Sequence, residues 1–200
     1  MTLQGAAGHA AARQSTAAGP AADDALMARV TLRDAAAFRA LVDGHAPHVH
    51  ALAWRMTGDA SVAEDVAQEA MMRLWSHANR WQAGGPGVGA WLRRVATNLV
   101  FDRSRRPRFV AEDAIPERAD EAMSADEAMD AARLRDAARD AVMALPERQR
   151  AAIVLTYYED LPNAEAADLL GLHIKAFESL LLRARSALKV SCAAYQETRP

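Results

Sequence analysis

Cysteine is almost absent from this 200-residue chain, which contains Cys192 alone. A single cysteine excludes an intramolecular disulfide and a zinc site built from several thiolates. Long apolar runs are missing too, since no stretch approaches the ~18 consecutive apolar residues that a membrane-spanning helix needs. The first residues lack the leucine-rich core of a secretory signal. We therefore expect a soluble cytoplasmic protein with no membrane insertion.

Glycine (10) and proline (8) are modest in number, and runs of β-branched residues are nearly absent. The apolar fraction is 51%, but alanine supplies much of it. Alanine favours helix strongly while adding little volume to a core. The composition therefore predicts an all-α protein, and the length suits one medium domain or two small ones.

The net charge of −2 hides a strong pattern of charges. Residues 93–108 carry six arginines against Asp102, whereas residues 111–130 carry eight acids against Arg118. An even surface mixture of both signs would not produce two such blocks. The basic block indicates either nucleic-acid contact or a solvated helix end that the helix dipole favours. The acidic block lacks hydrophobic periodicity and an apolar pocket, and so predicts a flexible linker rather than an acid–base site.

Residues 24–107 predict a first domain, after a disordered Ala/Gly-rich tail over residues 1–23. Apolar spacing predicts helices on either side of Pro47, the second of them stopped at Gly58. A third helix should begin with a capping box at Ser61 and Glu64 and end near Ala78. A fourth, over about 88–105, should bury Trp91, Leu92, Val95, Leu99 and Val100. These four helices would form a small bundle.

Residues 108–130 read as the acidic linker, and residues 131–195 predict a second domain. Its first helix should bury one stripe of side chains, formed by Leu134, Ala138, Val142 and Leu145. The helix after Pro146 should bury another, formed by Ile153, Val154, Tyr157 and Tyr158. A short helix over 163–170, a turn at Gly171 and a long helix from Ile174 to about Cys192 outline a helix-turn-helix. Phe177 and Leu181 should pack inward. An ordinary helical hairpin with a charged outer face would have the same outline.

His45, His48 and His50 could suggest a metal site, but their spacing does not place all three on one helical face. We therefore predict no metal. No nucleophile–base pair or phosphate-binding loop is visible, so we expect neither an enzyme nor a cofactor nor a small-molecule substrate.

Four segments, in order, resemble those of a known family. Residues 63–75 (AEDVAQEAMMRLW) are similar to the helix by which sigma factors dock on the polymerase clamp, and residues 91–106 (WLRRVATNLVFDRSRR) to their promoter-melting helix. Residues 145–161 resemble the entry to the family's C-terminal domain, and residues 165–171 with 178–185 complete its helix-turn-helix. The resemblance covers about residues 24–189. Because the chain is short, it most resembles the extracytoplasmic-function (ECF) RNA polymerase sigma factors.

The resemblance implies two small helical domains, a promoter-melting domain of four helices and a helix-turn-helix domain, joined by an acidic flexible linker. It implies that the chain directs promoter-specific initiation, with core RNA polymerase, promoter DNA and an anti-sigma factor as partners. Contacts to the core would come from Asp65, Gln68 and Glu69, although the sequence alone would make these a solvated helix face. Contacts to the minus-ten element would come from Asn98, Phe101, Asp102, Arg103, Arg105 and Arg106. Contacts to the minus-thirty-five element would come from His173, Lys175, Ala176, Glu178, Ser179 and Arg183.

The second domain departs from the family pattern at several positions. Glu178-Ser179-Leu180 stands where many relatives have Lys-Ser-Arg, Ala166 replaces a larger aliphatic residue, and Pro162 replaces a common serine cap. We interpret the first difference as an altered sequence preference. The alternative hypotheses are a stand-alone helix-turn-helix regulator, which leaves the first domain without a role, and a helical adaptor, which leaves the charge pattern unexplained.

Overall fold

The computed structural model describes residues 19–104 and 125–197, with side chains described over 19–104 and 133–193. Over these residues the fold is all-helical, which confirms the predicted class. Four helices form the N-terminal unit: α1 (Pro20–Thr31), α2 (Ala35–Thr57), α3 (Ala60–His77) and α4 (Gly87–Ser104). Four more form the C-terminal unit: α5 (Ala125–Met143), α6 (Glu147–Ile153), α7 (Asn163–Leu169) and α8 (Ile174–Glu197). The predicted linker lies outside the described residues from 105 to 124.

Helix α1 was not predicted, and it extends into the segment assigned to the tail. Pro20 occupies the first helical turn, where its missing N–H costs nothing. Asp23 is buried, and Met27 and Val30 face the core. The alanine-rich sequence conceals this helix because its apolar period is carried by few large side chains.

Helix α2 runs through Pro47 without a break, so the predicted division into two helices is wrong. A proline inside a helix removes one backbone hydrogen bond and crowds the preceding turn. Its buried positions continue in one stripe across that point: Leu41, His45, Val49, Leu52 and Met56. The burial of apolar side chains on both sides of Pro47 therefore outweighs the free-energy cost of the lost backbone hydrogen bond.

The start of α3 also differs from the prediction. Asp59, not Ser61, caps the helix, and its Oδ1 accepts a hydrogen bond from the Val62 N–H at 3.0 Å. The predicted end of α2 is confirmed: Gly58 adopts a left-handed φ of 72°, and its N–H donates to the carbonyl of Trp54. With Gly58 ending one helix, the adjacent Asp59 is already placed to cap the next.

Helix α4 packs Leu92, Leu99 and Val100 into the core, as predicted. Ala96 and Thr97 are buried beside them, whereas Trp91 and Val95 are only half-buried. The ring of Trp91 stacks on His77 at the end of α3. The buried face is thus rotated slightly from the predicted one, and the opposite face of α4 carries exposed polar side chains.

Helix α5 begins at Ala125, inside the stretch predicted as linker. Its predicted buried stripe is only half correct, because Val142 and Leu145 are buried while Leu134 and Ala138 are exposed. The chain then enters α6 directly after Pro146, as predicted. The core of this unit is supplied chiefly by its later helices.

Helix α6 continues into a π-helical turn, Val154–Tyr158. Ile153 and Val154 are buried as predicted, but Tyr157 and Tyr158 lie at the surface. A π-turn inserts one extra residue per turn, which rotates the following side chains relative to an α-helical pattern. The 3.6-residue period used for the prediction therefore failed after Val154.

Helices α7 and α8 form the predicted helix-turn-helix. Gly171 has a φ of 62° in the connecting turn, and the Leu172 N–H donates to the carbonyl of Ala167 at 2.9 Å. Phe177 is fully buried and Leu181 nearly so, as predicted from their spacing. Helix α8 extends to Glu197, beyond the expected end near Cys192.

Candidate nucleic-acid interface

The outer face of α4 presents a polar stripe. Arg94, Asn98 and Asp102 are all exposed and follow one another at four-residue intervals, so they lie on the same face. The opposite face is fixed in the core by Leu92 and Leu99. A rigid helix therefore holds a guanidinium, an amide and a carboxylate in a row, a set suited to phosphates and base edges.

The other predicted minus-ten residues are placed differently. Phe101 is half-buried and packs against the core, so only part of its ring is available for stacking. Arg103 is half-buried, and its Nη2 lies 3.9 Å from Oδ2 of Asp65 on α3. Arg105 and Arg106 lie outside the described residues.

Helix α8 presents a second polar face. All six predicted minus-thirty-five residues are exposed: His173, Lys175, Ala176, Glu178, Ser179 and Arg183. The Ser179 hydroxyl donates to the Lys175 carbonyl at 2.9 Å, and Nε of Arg183 donates to the Ser179 carbonyl at 3.3 Å. Positive and negative groups are mixed along this face, so its charge is weaker than that of a purely basic recognition helix.

The inner face of α8 explains why this surface is rigid. Phe177 and Ala184 have no exposed surface, and Ala166 of α7 is also completely buried. A larger aliphatic side chain at Ala166 would need room that this contact does not leave. From α6, Nη2 of Arg148 donates to the carbonyl of Leu170, which steadies the turn between α7 and α8.

A third surface lies on α3. Asp65 and Gln68 are exposed and Glu69 is half-exposed, so the three predicted core-binding residues do share an outer region. Nε of Arg73 donates to Oε1 of Glu69 at 2.8 Å, one turn along the helix. Glu69 is therefore already neutralised in part by its own helix.

Sequence reasoning missed an apolar groove beside these residues. It has a volume of about 560 Å³ and lies between α2 and α3, with Gln68 at its edge. Phe38 and Trp75 contact each other edge-to-face in its wall, and Met72 is more than half exposed. The spacing of Phe38 and Val42 was assigned to the core, and nothing in that periodicity separates a core stripe from a groove wall.

The histidines contact carboxylates on different elements. Nε2 of His45 lies 2.9 Å from Oδ2 of Asp23, and Nε2 of His48 lies 2.8 Å from Oε2 of Glu159. Burial is the largest influence on Glu159 and by itself raises the pKa, but His48 and Arg93 together outweigh it and hold the pKa of Glu159 below its ordinary value. Each imidazole thus contacts a different distant segment, His45 the helix α1 and His48 the residue that follows the π-turn.

These features define a class of protein: an all-helical chain with an exposed polar stripe on one unit and a helix-turn-helix on the other. Two family models match it, Sigma-70 region 2 over residues 41–109 and Sigma-70 region 4 over residues 135–188. The chain is also 35% identical over 184 residues to the ECF RNA polymerase sigma factor SigL of Mycobacterium tuberculosis, covering 86% of this chain and all of SigL. The protein belongs to the ECF RNA polymerase sigma factors.

Two solved structures are similar to it. CnrH, solved in complex with the cytosolic domain of CnrY, matches with a TM-score of 0.61 and 28% identity over 86% of this chain and 98% of CnrH. RpoE of Bartonella quintana, solved with the anti-sigma factor NepR, matches with a TM-score of 0.60 over 76% of this chain and 92% of RpoE. At 22% identity, this second likeness shows the fold alone.

Membership of this family confirms the predicted function: the chain is a sigma factor that directs promoter-specific transcription initiation. The stand-alone regulator is not favoured, because it leaves the matched region 2 unexplained. In the part of the chain that the structure describes, we find no helix both long and apolar enough to cross a membrane.

Proposed function

We propose that the two polar faces divide promoter recognition between them. The stripe of Arg94, Asn98 and Asp102 on α4 binds the melted minus-ten strand. Phe101 and Arg103 contribute near the end of the helix, and Arg105 and Arg106 contribute from the sequence that follows it. The observation that carries this assignment is the four-residue spacing of exposed polar groups on a helix whose opposite face is fixed in the core. Such a stripe can address bases without moving the helix.

Helix α8 binds the minus-thirty-five element through the major groove. Its first turns expose His173, Lys175, Ala176, Glu178, Ser179 and Arg183, the positions that meet base edges in helix-turn-helix proteins. The departure at Glu178 and Leu180 alters the preferred sequence. A carboxylate accepts a hydrogen bond from cytosine N4, so Glu178 favours a different base from the lysine that it replaces.

The outer region of α3 binds core RNA polymerase. Asp65, Gln68 and Glu69 supply polar contacts to a basic clamp surface, and the adjacent groove with its exposed Met72 supplies apolar area. Polar groups around an apolar centre form the usual anatomy of a protein interface.

The protein acts in the cytoplasm, where its polymerase works, and it is not an enzyme. An anti-sigma factor is a further partner that the family resemblance implies, and the similar protein CnrH was likewise solved with a bound protein, the cytosolic domain of CnrY.

Run-off transcription tests this function. Purified core polymerase and the full chain are incubated with genomic fragments, and we expect transcripts with defined starts that core alone does not give. A chain that binds fragments without core, yet never directs initiation, would instead be an independent DNA-binding regulator. Matched variants then separate the surfaces: Gln68→Ala should weaken recovery of the chain with core, whereas Lys175→Ala should leave that recovery unchanged.

A further inference from the structure

A cavity of about 220 Å³ lies between α2, α5 and the π-turn that follows α6. Its lining includes Val142 and Val154, which are buried, and Trp54 of α2, which is half-buried. Arg135 and Ala138 of α5 also line it and are exposed, so the cavity can be reached from solvent. At ~30 Å³ for each water molecule, it has room for about seven waters. It therefore suits an organic molecule smaller than the drug-sized ligands of ordinary pockets.

The charged side chains of this lining all have the same sign. Arg55, Arg135 and Arg139 line the cavity, and none of the described residues around it is an aspartate or a glutamate. Asp136 and Asp140 of α5 are exposed and are not part of the lining. Arg135 and Arg139 stand four residues apart on one helix, a spacing at which like charges repel. An anion bound in the cavity would relieve that repulsion.

The indole of Trp54 adds an unpaired hydrogen-bond donor. Its Nε1 is buried and has no hydrogen-bond partner among the residues that the structure describes. Buried polar groups are nearly always paired, as Trp81 illustrates, since its Nε1 donates to Oδ1 of Asp24 at 2.8 Å. A buried donor in the wall of a positively charged cavity indicates that the missing partner is a negatively charged acceptor.

Two of the three guanidinium groups are held in place by aromatic rings. The guanidinium of Arg139 lies 4.4 Å from the ring centre of Trp54, and that of Arg55 lies 5.1 Å from the ring centre of Tyr158. Stacking on a ring orients a guanidinium while its N–H groups remain directed outward from its edge. Such an edge donates two parallel hydrogen bonds to a carboxylate. Arg139, which is half-buried, is therefore prepared to bind a carboxylate at this wall.

The remaining lining is apolar and is fixed by its surroundings. Val142 and Val154 are buried, and Met143 packs so closely on Gly58 that a Cβ there would lie 2.8 Å from the methionine sulfur. Nη1 of Arg150 donates to the same sulfur at 3.3 Å. An inorganic anion would lose hydration against these apolar side chains without gaining contacts in return. An anion with an apolar body would instead bury that body here.

We propose that this cavity binds a small organic acid, in which one carboxylate is joined to an apolar body. The guanidinium groups of Arg135 and Arg139 and the N–H of Trp54 bind the carboxylate. The apolar body lies against Val142 and Val154. This site gives the sigma factor a small-molecule ligand in addition to its macromolecular partners, and it does not depend on the roles proposed for α3, α4 and α8.

Nuclear magnetic resonance of the ¹⁵N-labelled full chain tests the site. The chain has four tryptophans, and the indole N–H signal of Trp54 is identified by its loss in Trp54→Phe. We expect phenylacetate and hexanoate, used as probes, to shift the Trp54 signal progressively. The Trp81 signal should stay in place, because its N–H already donates to Asp24. The uncharged amides of both probes should bind about tenfold more weakly. A Trp54 signal that neither acid moves, or that acid and amide move equally, would overturn the proposal.

Substitutions on α5 assign the contacts. Arg139→Gln should weaken phenylacetate binding by about tenfold, and Arg135→Gln, at an exposed position that tolerates change, should weaken it as well. Arg133→Gln removes the same charge from an exposed residue outside the lining and should change binding by less than about twofold. Equal weakening by all three variants would show a general attraction of anions and refute the site. Inorganic phosphate that displaced phenylacetate at equal concentration would refute the role of the apolar lining. No measurement here uses polymerase or DNA, so run-off transcription judges the proposed function separately.

Discussion

Asp23 and His45 form a buried contact between α1 and α2, with Oδ2 and Nε2 only 2.9 Å apart. The side chains are 7% and 10% exposed respectively, so the pair is largely removed from water. Gly89 of α4 faces the His45 ring, since a Cβ at that position would lie 3.8 Å from Cε1 of His45. The sequence assigned Asp23 to the tail and His45 to a group of three histidines. In the structure the two residues join helices of the N-terminal unit.

We expect Asp23→Ala to lower the free energy of unfolding by about 1–3 kcal/mol, because His45 would lose a buried partner. The measurement is urea denaturation followed by circular dichroism. Asp43→Ala, which removes an exposed acid from α2, should change stability by less than about 0.5 kcal/mol. If Asp23→Ala were no worse than Asp43→Ala, α1 would not be held by this contact.

The capping assignment of α3 is directly testable. Asp59→Ala removes the acceptor for the Val62 N–H and should destabilise the chain by about 1 kcal/mol. Ser61→Ala, at the exposed position first predicted to be the cap, should be near neutral. Thermal denaturation of both variants beside the parent decides between the two positions. If Ser61→Ala were more destabilising than Asp59→Ala, the capping box predicted from the sequence would be correct.

Asn98→Ala should impair open-complex formation while core binding stays intact. Asn98 is exposed on α4, so its removal should not disturb the core, but it deletes an amide that can pair with a base. Potassium permanganate footprinting of the melted strand measures the first property, and co-purification with core measures the second. Loss of core affinity equal to the loss of melting would mean that the minus-ten surface lies elsewhere.

On α8, Lys175→Ala should weaken promoter use, with an effect that depends on the minus-thirty-five sequence. A side chain that contacts a base contributes about 1–3 kcal/mol and reads sequence, whereas a phosphate contact acts uniformly. Run-off transcription from a panel of minus-thirty-five variants distinguishes the two. Lys189→Ala, exposed on the same helix but nearly four turns further along, is the control and should leave the preference among promoters unchanged. An equal loss of transcription at every promoter would show that Lys175 contacts the DNA phosphate backbone and not a base.

The C-terminal unit is docked on the N-terminal unit through Glu159, whose Oε2 lies 2.8 Å from His48 Nε2 and 3.5 Å from Arg93 Nη1, and this docking should weaken at acid pH. Burial raises the pKa of Glu159, but the opposing effects of His48 and Arg93 prevail, so the docked carboxyl has a pKa below its ordinary value of 4.5. A lowered pKa in the docked state favours docking fully above pH 4.5 and loses that contribution as the pH falls through the lower pKa. A chain with one spin label on Cys192 of α8 and a second on Arg39→Cys of α2 should therefore show longer distances between the labels in that acid range, with circular dichroism monitoring any unfolding. Glu159→Gln should remove this pH dependence; an unchanged acid transition would assign it to other carboxyls.

The sequence predicted those features that depend on local chemistry. Gly58 was identified as a helix stop and Phe177 as a buried anchor because one needs a left-handed backbone and the other a periodic apolar face. The wider assignments of function came from ordered motifs, and the family matches confirm them. The exposure of the predicted α8 residues follows from the same periodicity that buries Phe177.

What the sequence did not predict depends on contacts between distant segments. Pro47 remains helical because the helix is buried on both sides of it, and the groove beside Gln68 exists because α2 and α3 do not close over Phe38. The partners of Glu159 lie 66 and 111 positions away along the chain. The spacing of residues along one helix cannot predict contacts between segments so far apart in the chain.

The π-turn at Val154–Tyr158 accounts for the position of that buried acid. The Glu159 N–H donates to the carbonyl of Val154, five residues back, so this turn holds one residue more than an α-helical turn would. Removing that surplus residue would regularise the helix and rotate the side chains that follow. Tyr157 and Tyr158 face outward and Glu159 faces the other unit because of it. The length of a single turn thus places the Glu159 carboxylate where it can pair with His48 and Arg93 of the other unit.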